Sequence, residues 1–203
     1  MAKVIMTCGK ICAGKSTYAE NLRRKYKAAV LSVDEITLAL FGQNAGEKHD
    51  YYVEKAEEYL FGKSLQMIEN DIDVILDWGF WTKAERQAAR QFYESRNIEN
   101  EFHYIDIDDD EWKKRLSKRN SEILANKTNA YFVDDGLAEK ADSLFEKPDI
   151  SEVEVWVGNE KREIRYAKET DRKFWYSLDR HLSDNEFTRK IAAKQCYTRK
   201  RKD

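Results

Sequence analysis

The residues with the clearest capacity for chemistry form one short stretch, GKICAGKST, at residues 9–17. Gly9, Gly14, Lys15 and Ser16 fit the spacing G-x-x-x-x-G-K-[ST]. The glycines accept backbone angles that side chains forbid, so successive N–H groups can turn inward, and the lysine adds an ammonium group. Such a turn binds phosphate oxygens, and the serine hydroxyl can bind Mg²⁺. The stretch therefore predicts a site for ATP and Mg²⁺.

The elements on either side of this loop are those that a phosphate-binding loop needs. The apolar run VIMTC precedes it and predicts a strand, and KSTYAENLRRKY follows it and predicts a helix. The positive end of the helix dipole adds to the attraction for an anion. We expect nucleotide contacts from the whole loop, that is from Gly9, Lys10, Ile11, Cys12, Ala13, Gly14, Lys15, Ser16 and Thr17.

Two carboxylates end apolar runs further along the chain. Asp77 ends DVILD, and an apolar strand with a terminal aspartate favours a Mg²⁺ ligand over a simple turn. Asp34 ends AAVLSVD and has two readings on spacing alone. It could accept or orient the proton of an attacking hydroxyl, or it could cap a helix that starts near Glu35.

Arg115 and Arg119 stand four residues apart in WKKRLSKRN, so one helix face carries both. Guanidinium groups match phosphate oxygens and can neutralise charge as a phosphoryl group moves. The surrounding lysines favour the alternative of a solvated basic face.

Strand and helix patterns alternate along the chain and predict an α/β domain with parallel pairing. Further strands are expected at DVILD, EFHYIDID and EVEVWV. Helices are expected at about 50–70, at 82–96 with a capping box from Thr82 and Glu85, at 112–120 and at 134–146. Ligands bind beyond the carboxyl ends of such strands, so one rim should collect Gly9, Asp34, Asp77 and Asp108 together with Trp78, Phe80 and Trp81.

Composition limits the class of protein. The 203 residues suit one domain with an appendage, and the net charge of −2 argues against a protein built to coat nucleic acid. No apolar stretch approaches the length of about 20 residues that spans a membrane. Cys8, Cys12 and Cys196 form neither a metal spacing nor an even disulfide set, so we expect a reduced, cytoplasmic protein.

The order of GKICAGKST, SVDE, VILDWGFWTKAER, YIDIDDDEWKKRLSKRN and LFEKP resembles the small P-loop kinase-like proteins over residues 3–157. These are the zeta-toxin, chloramphenicol-phosphotransferase and polynucleotide-kinase relatives, often labelled ATP-binding AAA-type proteins. The resemblance implies a three-layer P-loop NTPase fold with a five-stranded parallel sheet in the order 2-3-1-4-5. It also implies ATP with Mg²⁺, an acceptor hydroxyl near Asp34, and a mobile lid helix whose arginines are matched by Arg115 and Arg119.

The acceptor side departs from the wider family. Where relatives commonly have T-N after the third strand, this chain has WGFW, which implies a more aromatic acceptor pocket with Trp78 and Trp81. Arg86, in the AER stretch, is a further candidate for an acceptor or phosphate contact. The departure leaves the acceptor itself open.

Residues 158–203 are expected to form a C-terminal extension outside the sheet, with a short strand followed by helices. This stretch resembles the opening of GNAT-type N-acetyltransferases. The later strands and the pyrophosphate loop of that fold do not follow, so we expect no acetyltransferase activity. The basic run from Arg189 could touch nucleic acid, but a solvated terminus is the commoner cause.

Three functions are compatible with these patterns. The first is a kinase for a small hydroxyl compound, and the second is a polynucleotide or nucleotide-sugar kinase. The third is an ATP-dependent binding or switch module with little transfer. The acidic run from Asp106 to Glu111 counts against nucleic acid without excluding it. The sequence leaves monomer and homodimer equally open.

Overall fold

The protein is built on a six-stranded sheet, seen in a computed structural model that describes residues 2–44 and 46–158, and 163–165 by backbone alone. Its strands are β1 (Val4–Cys8), β2 (Ala29–Leu31), β3 (Val74–Asp77), β4 (Asn100–Ile105), β5 (Val155–Val157) and β6 (Glu163–Arg165). The first five are parallel in the order β2-β3-β1-β4-β5, which confirms the predicted fold.

β6 is the one described strand that the sequence analysis placed outside the sheet. It pairs antiparallel with β5, and Val157 lies opposite Glu163. It therefore extends the sheet at the β5 edge. The rest of the predicted C-terminal extension, including the acetyltransferase resemblance and the basic run, lies outside the described residues.

Six helices connect or flank the strands in the described part of the chain. They are α1 (Lys15–Tyr26), α2 (Val33–Phe41), α3 (His49–Glu69), α4 (Lys83–Glu94), α5 (Asp109–Leu124) and α6 (Asp135–Leu144). Within this described part, none combines the length and the apolar character that crossing a membrane requires. The predicted capping box at α4 is confirmed, because Thr82 and Glu85 each accept a backbone N–H of the other.

The alternation of β1 separates two apolar layers. Val4 and Met6 are fully buried in a cluster with Leu60 of α3 and Tyr93 of α4, whereas Ile5 lies in a second cluster with residues of α1. Successive side chains of a strand point to opposite faces, so β1 can be covered on both sides. The result is the three-layer arrangement of helices on both faces of a parallel sheet.

A third apolar cluster lies above the carboxyl end of the sheet. It contains Ala13 from the glycine-rich loop, Ile105 from β4, Trp112 from α5, and Val133 and Ala138 near α6. This cluster packs α5 and α6 against the loop. The loop is thus part of a packed unit.

The neighbourhood of Asp34 differs from the prediction. β2 ends at Leu31, and Ser32 caps α2 by accepting a hydrogen bond from the N–H of Glu35 at 3.3 Å. Asp34 is therefore neither a strand end nor a helix cap. It lies in the first turn of α2 and is exposed.

Arg86 also differs from the prediction, which made it an acceptor or phosphate contact. Its side chain is buried and forms an ion pair with Glu152, with 3.0 Å between Nη2 and Oε2. Its Nη1 atom donates to the carbonyl oxygens of Phe80 and Trp81, both at 3.2 Å. These contacts use the guanidinium to fix the turn after β3. The prediction is corrected: Arg86 is a structural residue that holds this turn to the segment before β5.

We expect Arg86→Ala to lower the free energy of unfolding by about 3 kcal/mol, since it removes one partner of a buried ion pair. Glu152 would keep the N–H of Asp149 at 3.2 Å and, as its one charged partner among the described residues, Lys83, whose ammonium lies 3.4 Å away and whose side chain is half exposed. Urea unfolding followed by circular dichroism measures the change. Lys83→Ala is the matched control and should cost less than about 1 kcal/mol. Wild-type stability in the Arg86→Ala protein would contradict this assignment.

Candidate functional site

The loop between β1 and α1 has the backbone of a phosphate-binding turn. Gly9 and Gly14 have φ angles of 150° and 104°, which favour glycine. A Cβ atom at Gly9 would lie 2.7 Å from the carbonyl oxygen of Ile105, so the position has no room for a side chain. Close approach of β4 to the loop therefore requires glycine here, as the motif predicted.

The amino end of α1 is open to an anion. Its cap residue is Gly14, no side chain accepts from its first N–H groups, and its first turn contains no acidic residue. In contrast, α2, α4, α5 and α6 are capped by Ser32, Thr82, Asp108 and Asp134. A helix start with free N–H groups and a positive dipole end suits phosphate oxygens.

Lys15 directs its ammonium group into the loop. Its Nζ atom donates to the carbonyl oxygens of Gly9 at 3.0 Å and Lys10 at 2.8 Å. Removal from water lowers the pKa of Lys15, while the nearby charges of Asp77 and Asp34 oppose that shift. The charges of both predicted carboxylates therefore act on the ammonium group of Lys15.

Asp77 ends β3 and is buried, with 7% of its surface exposed. Burial raises the pKa of its carboxyl group, against the Ser16 hydroxyl and the charge of Lys15, which lower it. A carboxylate and a hydroxyl in contact are oxygen donors of the kind that Mg²⁺ prefers. The predicted pair of Ser16 and Asp77 therefore fits a magnesium ion beside the loop.

Three side chains on one face of α5 contact the loop. Trp112 donates its indole N–H to the carbonyl oxygen of Ile11 at 2.8 Å. Arg115 donates to the carbonyl oxygen of Ala13 at 2.7 Å. Arg119 contacts the sulfur of Cys12, with 3.3 Å between Nη1 and Sγ. The loop backbone is thus held from outside along its length.

Arg115 and Arg119 differ in exposure from the lysines of the same helix. They are half-buried on the loop side of α5, whereas the lysines of the same helix, Lys113, Lys114 and Lys118, are exposed. The alternative of a solvated basic face therefore holds for the lysines and not for the arginines. Trp112 was missed by sequence reasoning, although its spacing of three and seven residues from the arginines puts it on the same face.

The Nε atom of Arg119 is a buried donor without a partner among the described residues. Leaving such a donor unpaired costs about 1–3 kcal/mol. Its neighbour Nη1 is already at the loop. A phosphate oxygen is the acceptor that this geometry suits, so the arginine fits the nucleotide that the loop predicts.

Lys10 takes part in the site through its backbone alone. Its ammonium pairs with Asp109 of α5 at 3.1 Å and with Asp142 of α6 at 2.6 Å. It also lies 5.0 Å from the ring centre of Trp112. The side chain thus fastens two helices to the loop, which the motif alone did not reveal.

The predicted aromatic residues of the acceptor pocket are half-buried. Trp78 stacks on Phe80 at 5.0 Å and meets Phe61 edge-on at 5.5 Å, so much of it packs into the core. Trp81 lies directly over Gly79, where a Cβ atom would collide with the indole. The acceptor role of both tryptophans stays a prediction.

Comparison with solved structures agrees with this fold. The chain is similar to part of the Pnkp1/Rnl/Hen1 RNA repair complex, with a TM-score of 0.59 and 22% identity over 83% of this chain and 50% of that one. It is similar to Mycobacterium tuberculosis APS kinase CysC, solved with AMPPNP and APS, with a TM-score of 0.57 and 15% identity over 79% and 90%. A sugar kinase from Janibacter sp. HTCC2649 matches with a TM-score of 0.56 and 14% identity over 80% and 88%. At these identities the likeness shows the fold alone.

Sequence comparison identifies the family. No curated protein matches the chain. The acetyltransferase likeness of the tail gains no support from any comparison. Residues 4–139 match the AAA domain family, a stretch that runs from β1 through the loop and α5 into α6. The chain therefore belongs to the AAA domain family and is a P-loop kinase-like protein.

Proposed function

We propose that the protein is an ATP-dependent kinase that transfers the γ-phosphate to a hydroxyl group of a small molecule. The observation that carries the proposal is the glycine-rich loop at the uncapped start of α1, into which Lys15 directs its ammonium and against which Arg115 and Arg119 pack. Phosphoryl transfer needs mainly positioning and charge neutralisation, and this group of residues offers both. The P-loop kinase-like family supports the same reaction class.

The loop and α5 would hold the nucleotide. The backbone N–H groups of residues 9–17 and the ammonium of Lys15 would bind phosphate oxygens, while Arg115 and Arg119 hold the loop through Ala13 and Cys12. Ser16 and Asp77 would hold Mg²⁺, which neutralises phosphate charge when bound. Once the nucleotide is bound, the two arginines would add positive charge beside the phosphates.

Asp34 would orient the acceptor. Its carboxylate is exposed in the first turn of α2, yet close enough to Lys15 and Asp77 to affect both. Exposure leaves it accessible to an incoming substrate, and its charge favours accepting the proton of a hydroxyl group. Trp78 and Trp81, after β3, would supply apolar surface for the same acceptor.

A cleft on the β4 side of the loop, whose lining residues do not include Asp34, Trp78 or Trp81, disfavours a polynucleotide there. It has a volume of about 440 Å³, and its charged lining residues are Asp106, Asp108, Asp109 and Asp142 against Lys10 and Lys147. Both lysines are already paired with these carboxylates. A polyanion would meet a negative surface here, which disfavours nucleic acid binding.

Lys15→Ala should reduce the affinity for magnesium ATP at least about 100-fold, because the ammonium at the centre of the loop is lost. Isothermal titration calorimetry with the full chain measures the effect. Lys25→Ala, at the exposed far end of α1, is the matched control and should bind as the wild type does. Undiminished ATP binding by the Lys15→Ala protein would remove the loop from the account.

The acceptor can be found by incubating the protein with labelled ATP and a library of hydroxyl metabolites and oligonucleotides. With the acceptor in hand, Asp34→Asn should lower kcat by about 100-fold and leave ATP binding unchanged, since the carboxylate acts on the acceptor. Glu35→Gln, on the exposed neighbouring residue, should retain wild-type kcat.

Two outcomes of the library experiment and one of the Asp34→Asn measurement would contradict the proposal or change it. Labelled oligonucleotide as the main product would favour the polynucleotide kinase. Loss of ATP without any phosphorylated product would favour a binding or switch module. A wild-type rate in the Asp34→Asn protein would place the acceptor elsewhere on the rim.

A further inference from the structure

The segment at residues 130–133, between α5 and α6, is fastened by two side-chain amides. Gln43 donates to the carbonyl oxygen of Ala130 at 2.7 Å and accepts from the N–H of Phe132 at 2.9 Å. Asn120 of α5 does the same with the backbone of Val133, at 2.6 Å and 3.1 Å. Each side-chain amide therefore pairs with one backbone N–H group and one backbone carbonyl group of a segment that belongs to no helix or strand.

The two amides come from different parts of the fold. Asn120 belongs to α5, the helix that leads into the segment, so its contact is local. Gln43 lies in the turn after α2, and its partners are 87 and 89 residues further along the chain. Asp34 lies in the first turn of α2, and Gln43 follows the end of that helix. Gln43 therefore connects the helix that carries the proposed acceptor residue to the segment after α5.

The segment in turn holds Arg119. Its Nη2 atom donates to the carbonyl oxygen of Tyr131 at 3.0 Å, while Nη1 reaches the sulfur of Cys12 in the loop. Gln43 contacts the peptide groups immediately before and after Tyr131. The Gln43 side chain therefore fixes the position of the Tyr131 carbonyl oxygen. That oxygen in turn fixes the guanidinium of Arg119.

A ring contact strengthens the same connection. His49, at the start of α3, meets the ring of Tyr131 edge-on, with 5.7 Å between ring centres. The Tyr131 hydroxyl and the Arg119 Nε atom are both buried without a partner in the described residues. His49 therefore adds a contact from α3 to the residue whose carbonyl oxygen holds Arg119.

We propose that Gln43 is a positioning residue for phosphoryl transfer, which it serves by holding Arg119 against the loop through the segment at residues 130–132. The inference rests on the proposed kinase function and names a residue that neither the motif nor the family match assigns. A free arginine side chain samples many rotamers, and a guanidinium fixed in advance stabilises developing charge without reorganisation. Small errors in such placement reduce rates strongly.

The hold on Arg119 can be measured without nucleotide. The Nε–H group of Arg119 is buried, so its proton should exchange slowly enough for NMR detection in the full chain, and Arg119→Lys identifies the signal by its loss. In Gln43→Ala we expect exchange to accelerate by about tenfold or more, since the segment is released. The matched control Gln87→Ala, on the exposed face of α4, should exchange as the wild type does.

A second variant separates hydrogen bonding from packing. Gln43→Glu keeps the size of the side chain but replaces the amide donor with an oxygen that would face the carbonyl of Ala130. It can still accept from the N–H of Phe132, but it loses the bond to Ala130 and places negative charge against that carbonyl, so exchange should accelerate as in Gln43→Ala. Wild-type exchange at Arg119 in either Gln43 variant would overturn the proposal.

Kinetics test the catalytic consequence. For Gln43→Ala we expect kcat to fall about tenfold and the KM for ATP to change less than about threefold, because the loop and Lys15 remain intact. Faster exchange at Arg119 with an unchanged kcat would also overturn the proposal. If the wild-type chain transfers no phosphate at all, the kinase function fails, whereas the NMR comparison still decides whether Gln43 holds Arg119.

Discussion

The structure depends on how tightly the glycine-rich loop is held by its surroundings. Inward-facing N–H groups bind phosphate only if the carbonyl groups of the same turn are satisfied elsewhere, because an unpaired buried polar group is costly. Here α5 supplies the partners: Trp112 and Arg115 donate to carbonyl oxygens of the loop. The approach of Ile105 to Gly9 closes the other side. The anion site is therefore a product of tertiary packing around a permissive backbone.

Charge balance is the second constraint. Lys15 and Asp77 are both removed from water, and burial alone would favour the neutral form of each. Their opposite charges offset that penalty, and Asp34 adds a further negative charge on the open side. A site balanced in this way tolerates the arrival of a triphosphate with its cation. The arginines of α5 have partners outside this group: carbonyl oxygens and a sulfur of the fold and, for Arg115, the carboxylate of Glu111.

The acceptor side is built differently from the nucleotide side. The turn after β3 is aromatic and is fixed from below by Arg86, whose donors serve the carbonyl groups of Phe80 and Trp81. An arginine that the family resemblance had suggested for ligand binding thus supports the turn after β3. Rigid support of this kind preserves a binding surface without contributing a charge to it. Specificity for the acceptor would accordingly come from the turn after β3 and from α2. The nucleotide side would keep the arrangement that phosphate-binding loops share.

The sequence by itself determined the loop, the alternation of strands and helices and the capping box of α4, because each depends on neighbours in the chain and on the periodicity of apolar residues. The order of the five parallel strands came from the family resemblance. The sequence could not decide the roles of residues whose partners are distant. Spacing left Arg119 and Asp34 open, the resemblance misassigned Arg86, and neither contained a sign of Gln43. Their partners lie on other elements, and long-range contacts follow from how layers pack. Only the tertiary structure showed that Arg86 stabilises the fold and that Arg119 contacts the loop.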